Sequence, residues 1–302
     1  MLQDGWSYPL IIKDVFALYE AFCQDRYLNL QYPRPYRDYI NWLQYQDLSQ
    51  AEAYWRRTLK DFTKPTPLVN CAPHVSSTRE DGDAYVNEYY PLSATATSAL
   101  RSLARQQQLT VNTLLQGAWA ILLSRYCGEN DVVFGTVVSG RPADLVGSEQ
   151  MVGNFHNLLP VRVEASPEAQ LLPWLRQLQG QQVEMRQFEY SPPRKVRGWS
   201  SVPGDQLLFE SYLVFENFPV DAYVQEKFTA YRAQVRGMTQ TEHPIRMTVW
   251  PGRALMPGSE MLLVMSYYRR HFSTATIVRI LKDYQAVLER MVADPEQRVG
   301  AL

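Results

Sequence analysis

Val132 to Val138 runs almost without polar interruption and is rich in β-branched side chains, the pattern of a strand covered on both faces. Such a strand belongs in the middle of a sheet. Ser139-Gly140-Arg141-Pro142 follows. A small residue, a φ-permissive glycine and a φ-locked proline together stop the strand and turn the chain. The next strand, Asn157 to Val163, places Leu159, Val161 and Val163 on one face. Pro160 has no amide hydrogen to donate to a ladder, so this strand is expected at an edge, bulged or departing from its sheet.

Helices and strands alternate on either side. Ser7, with Pro9 in the first turn, is expected to cap a helix striped by Leu10, Ile11, Val15, Leu18 and Phe22. A second helix is expected from Tyr36 to Leu59, interrupted near Asp47 to Ser49. Pro65, Pro67 and Pro73 mark residues 61–83 as a linker between residues 1–60 and 84–302. A strand at Tyr85 to Tyr90, a Ser93-capped helix to Gln107 and a Thr110-capped helix to Tyr126 come next. The last of these is apolar all round and should be deeply buried. Ser166-Pro167-Glu168 reads as the start of a long helix ending near Glu189. Four further strands are expected at Ser211 to Glu216, Phe228 to Val235, Ile245 to Trp250 and Met261 to Tyr268, then a helix from Ser273 to Val292. The order implies an α/β or α+β mixed sheet with helices packed on it.

With 302 residues, 46% hydrophobic, the chain can bury a sizeable core. Its net charge of −1 argues against a nucleic-acid binder, which needs a basic excess. Cys23, Cys71 and Cys127 are odd in number and widely spaced, which fits reduced thiols. His74, His156, His243 and His271 show no metal-ligand spacing, so no metal site is expected. There is no leader-like segment and no apolar run near the roughly 20 residues a bilayer requires, so a cytoplasmic chain is expected.

The stretch 131–163 resembles the condensation domains of nonribosomal peptide synthetases, whose pattern reads roughly DVvFG-x-vvSGRP, a loop, then vGxFxNtlPvRv. Tyr36-Arg37-Asp38-Tyr39-Ile40-Asn41-Trp42 is similar to the family's YxDYAxW motif. Leu208-Phe209-Glu210-Ser211 and Phe215-Glu216-Asn217-Phe218-Pro219 resemble its LFes and fENyP segments. Asp4-Gly5-Trp6-Ser7 matches the end of the HHxxxDG signature and the WS that follows it. By this resemblance the two histidines would lie just before Met1, and the chain is expected to be cut within the motif, with most of the amino-terminal lobe missing. The implied fold is similar to chloramphenicol acetyltransferase, with residues 84–302 as the complete carboxyl-terminal lobe and 1–60 as the tail of the amino-terminal lobe and connecting helices.

The resemblance implies amide formation between a donor acyl or peptidyl thioester and the α-amine of an acceptor aminoacyl thioester. Both substrates would ride on the phosphopantetheine of partner carrier domains, with no cofactor bound directly. Other implied partners are the missing lobe and a downstream adenylation domain, with no nucleic acid and no membrane. Asp4 and Gly5 take an orienting role, Asp4 paired with an arginine. Tyr36, Asp38 and Trp42 fix packing between lobes, while Ser139, Gly140, Arg141, Gly153 and Asn157 belong to the substrate tunnel or are structural. His156 replaces the usual aliphatic residue of GxFxN and is either a solvent-facing loop side chain or part of an altered acceptor pocket. Arg194, Lys195 and Arg197 are either solvated charges or a carrier-docking rim. Two alternatives remain: a non-catalytic lobe that only binds a carrier or neighbouring module, and a stand-alone acyltransferase using coenzyme A thioesters. Epimerisation is disfavoured by the Trp6-Ser7 continuation and the Phe215 to Pro219 segment.

Overall fold

The computed structural model describes residues 3–68, 84–204, 206–217, 241–252 and 260–302. Its six strands are β1 (Tyr85–Pro91), β2 (Asp131–Val138), β3 (Asn157–Glu164), β4 (Ser211–Phe215), β5 (Ile245–Trp250) and β6 (Leu262–Tyr268). They form one sheet in the order β1-β6-β5-β4-β2-β3. β2 is interior, antiparallel to β3 and parallel to β4, as its apolar run requires. β3 takes the edge, with Pro160 opposite Gly135. The strand expected at Phe228 to Val235 lies outside the described residues.

The helices are α1 (Ser7–Cys23), α2 (Arg37–Gln44), α3 (Leu48–Thr58), α4 (Ala94–Gln106), α5 (Val111–Cys127), α6 (Leu171–Met185), α7 (Pro193–Gly198) and α8 (Thr274–Ala293). Side-chain caps fix four starts: Asp47 accepts from Ser49 N, Ser93 from Ala96 N, Thr110 from Thr113 N and Ser273 from Thr276 N. α4, α5, α6 and α8 pack together, with α5 against β2 and α8 against β1 and β6. α5 is buried on all sides, from Thr113 to Leu123. Its Trp119 donates to Ser211 Oγ at 3.2 Å, tying helix layer to sheet.

Two expected helix starts differ. Ser7 is the first helical residue and Trp6 the cap, because the Ser7 hydroxyl is taken by Asp4 and Gly153. α6 begins at Leu171 and not at Ser166. The carboxyl-terminal segment captures the intervening backbone: Gly300 N donates to Pro167 O, Val299 N to Ala169 O and Leu171 N to Gln297 O. The interruption expected near Asp47 is a full break between α2 and α3.

Phe62 and Leu68 are buried in the main core with Trp55 of α3. Thr66 Oγ1 accepts from Val133 N at 2.7 Å, and Glu210 accepts from Leu68 N at 3.0 Å. The first part of the expected linker is thus strapped to the sheet, and residues 69–83 lie outside the described residues. Among the described residues no helix is long and apolar enough to cross a membrane.

Candidate functional site

The loop from β2 to β3 and the segment before α1 meet around one ion pair. Arg141 Nη2 donates to Asp4 Oδ1 at 3.0 Å and to Oδ2 at 3.1 Å, while its Nη1 donates to the carbonyls of Met151 and Ser148. Asp4 also accepts from Ser7 N, from Ser7 Oγ and from Phe155 N. Asp4 N donates to Gly153 O, and Ser7 Oγ both donates to that carbonyl and accepts from Gly153 N. A buried carboxylate is tolerable only when its lone pairs are used, and here they are. The guanidinium lies 4.1 Å from the Phe155 ring centroid and 5.3 Å from that of Trp6. Burial pushes the Arg141 pKa down, and the facing Asp4 carboxylate pulls it back up.

Glycine is required at two points of this clamp. Gly140 has φ +61°, and a Cβ there would stand 1.9 Å from the Phe155 carbonyl oxygen. A Cβ on Gly153 would stand 2.1 Å from the Tyr36 ring. Tyr36 donates its hydroxyl to Asn154 O and packs edge-on to Phe155 at 5.1 Å. Tyr39, Leu145, Met151 and Phe155 form a small satellite core beneath it. Burial pushes the Tyr39 hydroxyl up to about 12.

The structure therefore brings Asp4, Arg141, Gly140, Gly153 and Tyr36 together, with Gly5 in the turn leading to α1. His156 is solvent-exposed in the same loop, directly after Phe155. The surrounding protein lowers its pKa below the ordinary 6.5, the Asp4 charge opposing and the Arg141 charge adding. Asp38 lies apart, paired with Arg34 at 2.7 Å. Trp42 donates to Asp144 Oδ2 at 3.1 Å. Asn157 donates through Nδ2 to the carbonyls of Glu189 and Ser191, each at 2.7 Å, which makes it a clip between β3 and the turn after α6. Arg194 and Lys195 are exposed on α7 and Arg197 is half-buried there.

Beside the clamp lies a cleft of about 680 Å³, lined by Trp42, Ser139, Gly140 and Arg141 and, on the far wall, by Gln116, Gln182 and Glu189. Gln182 Nε2 donates to Gln116 Oε1 at 2.8 Å, and Gln116 Nε2 donates to Thr136 Oγ1 at 3.0 Å. This wall of hydrogen-bonding side chains suits a polar, amide-bearing chain. Glu189 was not foreseen from the sequence, nor were Ser7, Gln116 and Gln182. Ser7 alone carried a signal, its place directly after the Asp4-Gly5-Trp6 motif. The amide wall depends on which faces of α5 and α6 meet.

The sequence model of the Condensation domain matches residues 1–302. The chain belongs to the Condensation domain family. It is 41% identical to a linear gramicidin synthase of Brevibacillus parabrevis over all of this chain, but spans only 6% of that relative. The condensation-domain chain also matches the crystal structure of the X-domain from teicoplanin biosynthesis, with a TM-score of 0.75 and 22% identity, over 100% of this chain and 69% of that one. The starter condensation domain of rhizomide synthetase, a mutant in complex with C8-CoA, matches with a TM-score of 0.75 and 19% identity, over 100% and 66%. These two likenesses establish the fold. It is the chloramphenicol acetyltransferase-like mixed sheet with helices that the resemblance implied.

Proposed function

We propose that this chain acts within a nonribosomal peptide synthetase as part of a condensation domain. It would join a donor acyl or peptidyl thioester to the α-amine of an acceptor aminoacyl thioester, both held on carrier-domain phosphopantetheine. The observation that carries this reading is the buried Asp4–Arg141 pair, which fixes the Asp-Gly end of the family's signature motif at the cleft.

In the reaction the amine nitrogen bonds to the thioester carbonyl carbon, the carbon–sulfur bond breaks, and the thiol leaves with the amine's proton. An α-amine has a pKa of about 7.7–8.0, so a useful fraction is neutral at pH 7 and little base strength is required. Holding the amine against the carbonyl can then supply most of the acceleration. Asp4 and Arg141 do not touch the reacting atoms in this scheme. They set the position of the segment that precedes Asp4, where the family carries its histidines. Residues 84–302 would form the carboxyl-terminal lobe and residues 1–60 the connection to its amino-terminal counterpart. Exposed Val15, Tyr19 and Phe22 on α1 give that counterpart an apolar face to cover.

The test supplies loaded donor and acceptor carriers to this chain joined to an amino-terminal lobe ending in the two histidines, with mass spectrometry of the acceptor carrier. An acceptor longer by one donor group supports condensation. Carrier binding without product would leave a recognition lobe, and turnover with coenzyme A thioesters alone would make it a stand-alone acyltransferase.

A further inference from the structure

Glu189 is held at both ends. Its carboxylate accepts from Gly140 N at 3.1 Å, and its carbonyl accepts from Asn157 Nδ2 at 2.7 Å. It therefore links the wall of the cleft, the edge strand β3 and the turn whose next residue is Arg141. Space at Gly140 is tight, since a Cβ there would stand 1.9 Å from the Phe155 carbonyl oxygen.

We propose that Glu189 is a positioning residue whose carboxylate, through the Gly140 amide, holds the turn that presents Arg141 to Asp4 and so sets the motif segment against the cleft. The proposal rests on the condensation reading above. A carboxylate is the strongest acceptor available to a backbone amide, and protonation removes the charge that gives the bond its strength. The charged or titratable groups around it are Arg186 and Tyr190 on its own turn, Tyr39 on α2, and Arg141 and Asp144, which line the same cleft from the loop after β2. Burial raises the Glu189 pKa, while the Gly140 bond and Arg186 oppose the rise. As pH falls, Glu189 takes up its proton earlier than an exposed glutamate would, and its bond to the Gly140 amide weakens to that of a neutral acceptor.

Two readouts test this. In the 302-residue chain, the Gly140 amide resonance is followed by NMR as pH is lowered. It should shift in wild type in step with Glu189 protonation and stay flat in Glu189→Gln. In a synthetase carrying the whole domain, Glu189→Ala should lower kcat on the order of tenfold to a hundredfold, the scale of small misplacements of reacting groups, with KM nearly unchanged. Glu189→Gln, which keeps an acceptor oxygen, should restore most of the rate and flatten the acidic side of the pH profile. A Gly140 resonance indifferent to pH in wild type, or Glu189→Gln as impaired as Glu189→Ala, would overturn the proposal. If the wild-type synthetase forms no amide, the condensation reading falls, and the Gly140 titration still decides the positioning role.

Discussion

Arg141 and Asp4 stand 137 residues apart in the chain and 3.0 Å apart in space, with side chains 3% and 0% exposed. The pair joins the segment before α1 to the loop after β2. Neither partner has solvent to fall back on. Removing one charge leaves the other buried and unpaired, which costs about 3–5 kcal/mol in comparable settings. Asp4→Ala and Arg141→Met should each destabilise the chain by that order in urea unfolding. The double variant should cost less than the sum, since no orphan charge is left. Additive losses would show that the pair is not coupled.

A substitution at Gly153 tests the packing of α2 on the clamp. A methyl group there would sit 2.1 Å from the Tyr36 ring, too close for the ring to stay in place. Overpacking of this kind costs about 1–3 kcal/mol. Gly153→Ala should lower the thermal midpoint, and adding Tyr36→Ala should make the alanine at 153 nearly harmless relative to Tyr36→Ala alone. The same penalty in both backgrounds would place the strain elsewhere.

Local chemistry explains what the sequence disclosed and what it withheld. The β2 run, Pro160 at an edge and the caps at Ser93, Thr110 and Ser273 are decided within a few residues, and the structure places them as expected. The start of α6 is decided by residues 297–300, more than a hundred positions away, so a good cap signal at Ser166 lost to tertiary pairing. That Asp4 pairs with an arginine was legible through the family resemblance, but not which arginine, since Arg141 read as a tunnel or structural residue. Glu189 was not, because its role depends on how the turn after α6 folds back on Gly140.

His243 gives the fold a sensitivity to acid. It is 6% exposed, stacked on Phe209 at 4.9 Å, and its Nδ1 faces the Phe209 carbonyl at 3.1 Å, which makes that nitrogen the protonated one. Burial lowers its pKa below the ordinary 6.5. Between the folded and unfolded values the unfolded chain binds more protons, so stability rises with pH across that interval. The contribution is complete above about pH 6.5 and is lost as pH falls through the folded value. His156 titrates with the same sign, and Glu189 and Glu210, whose pKa values burial raises, titrate with the opposite one. The comparison must therefore be against His243→Gln. Urea unfolding between pH 8 and pH 5 should show wild type losing stability relative to the variant on acidification. A constant difference would mean that His243 does not carry the acid sensitivity.

The exposed cations of α7 offer a test of carrier recognition. Arg194 and Lys195 point to solvent, and no salt bridge among the described residues uses them. Carriers acidic around their phosphopantetheine serine would be drawn to such a surface, mainly through faster encounter. The attraction reaches about 30 Å at 0.01 M salt but only about 8 Å at 0.15 M. Reversing both charges, Arg194→Glu with Lys195→Glu, should therefore weaken binding of an acidic carrier by roughly tenfold at the lower salt, with the gap closing as salt is added. Stopped-flow fluorescence would place the loss in the association rate. Undiminished binding at low salt would remove α7 from the docking surface. A loss that is the same at both salts would assign the effect to packing of α7 on β3, where Val196 is buried, and not to charge.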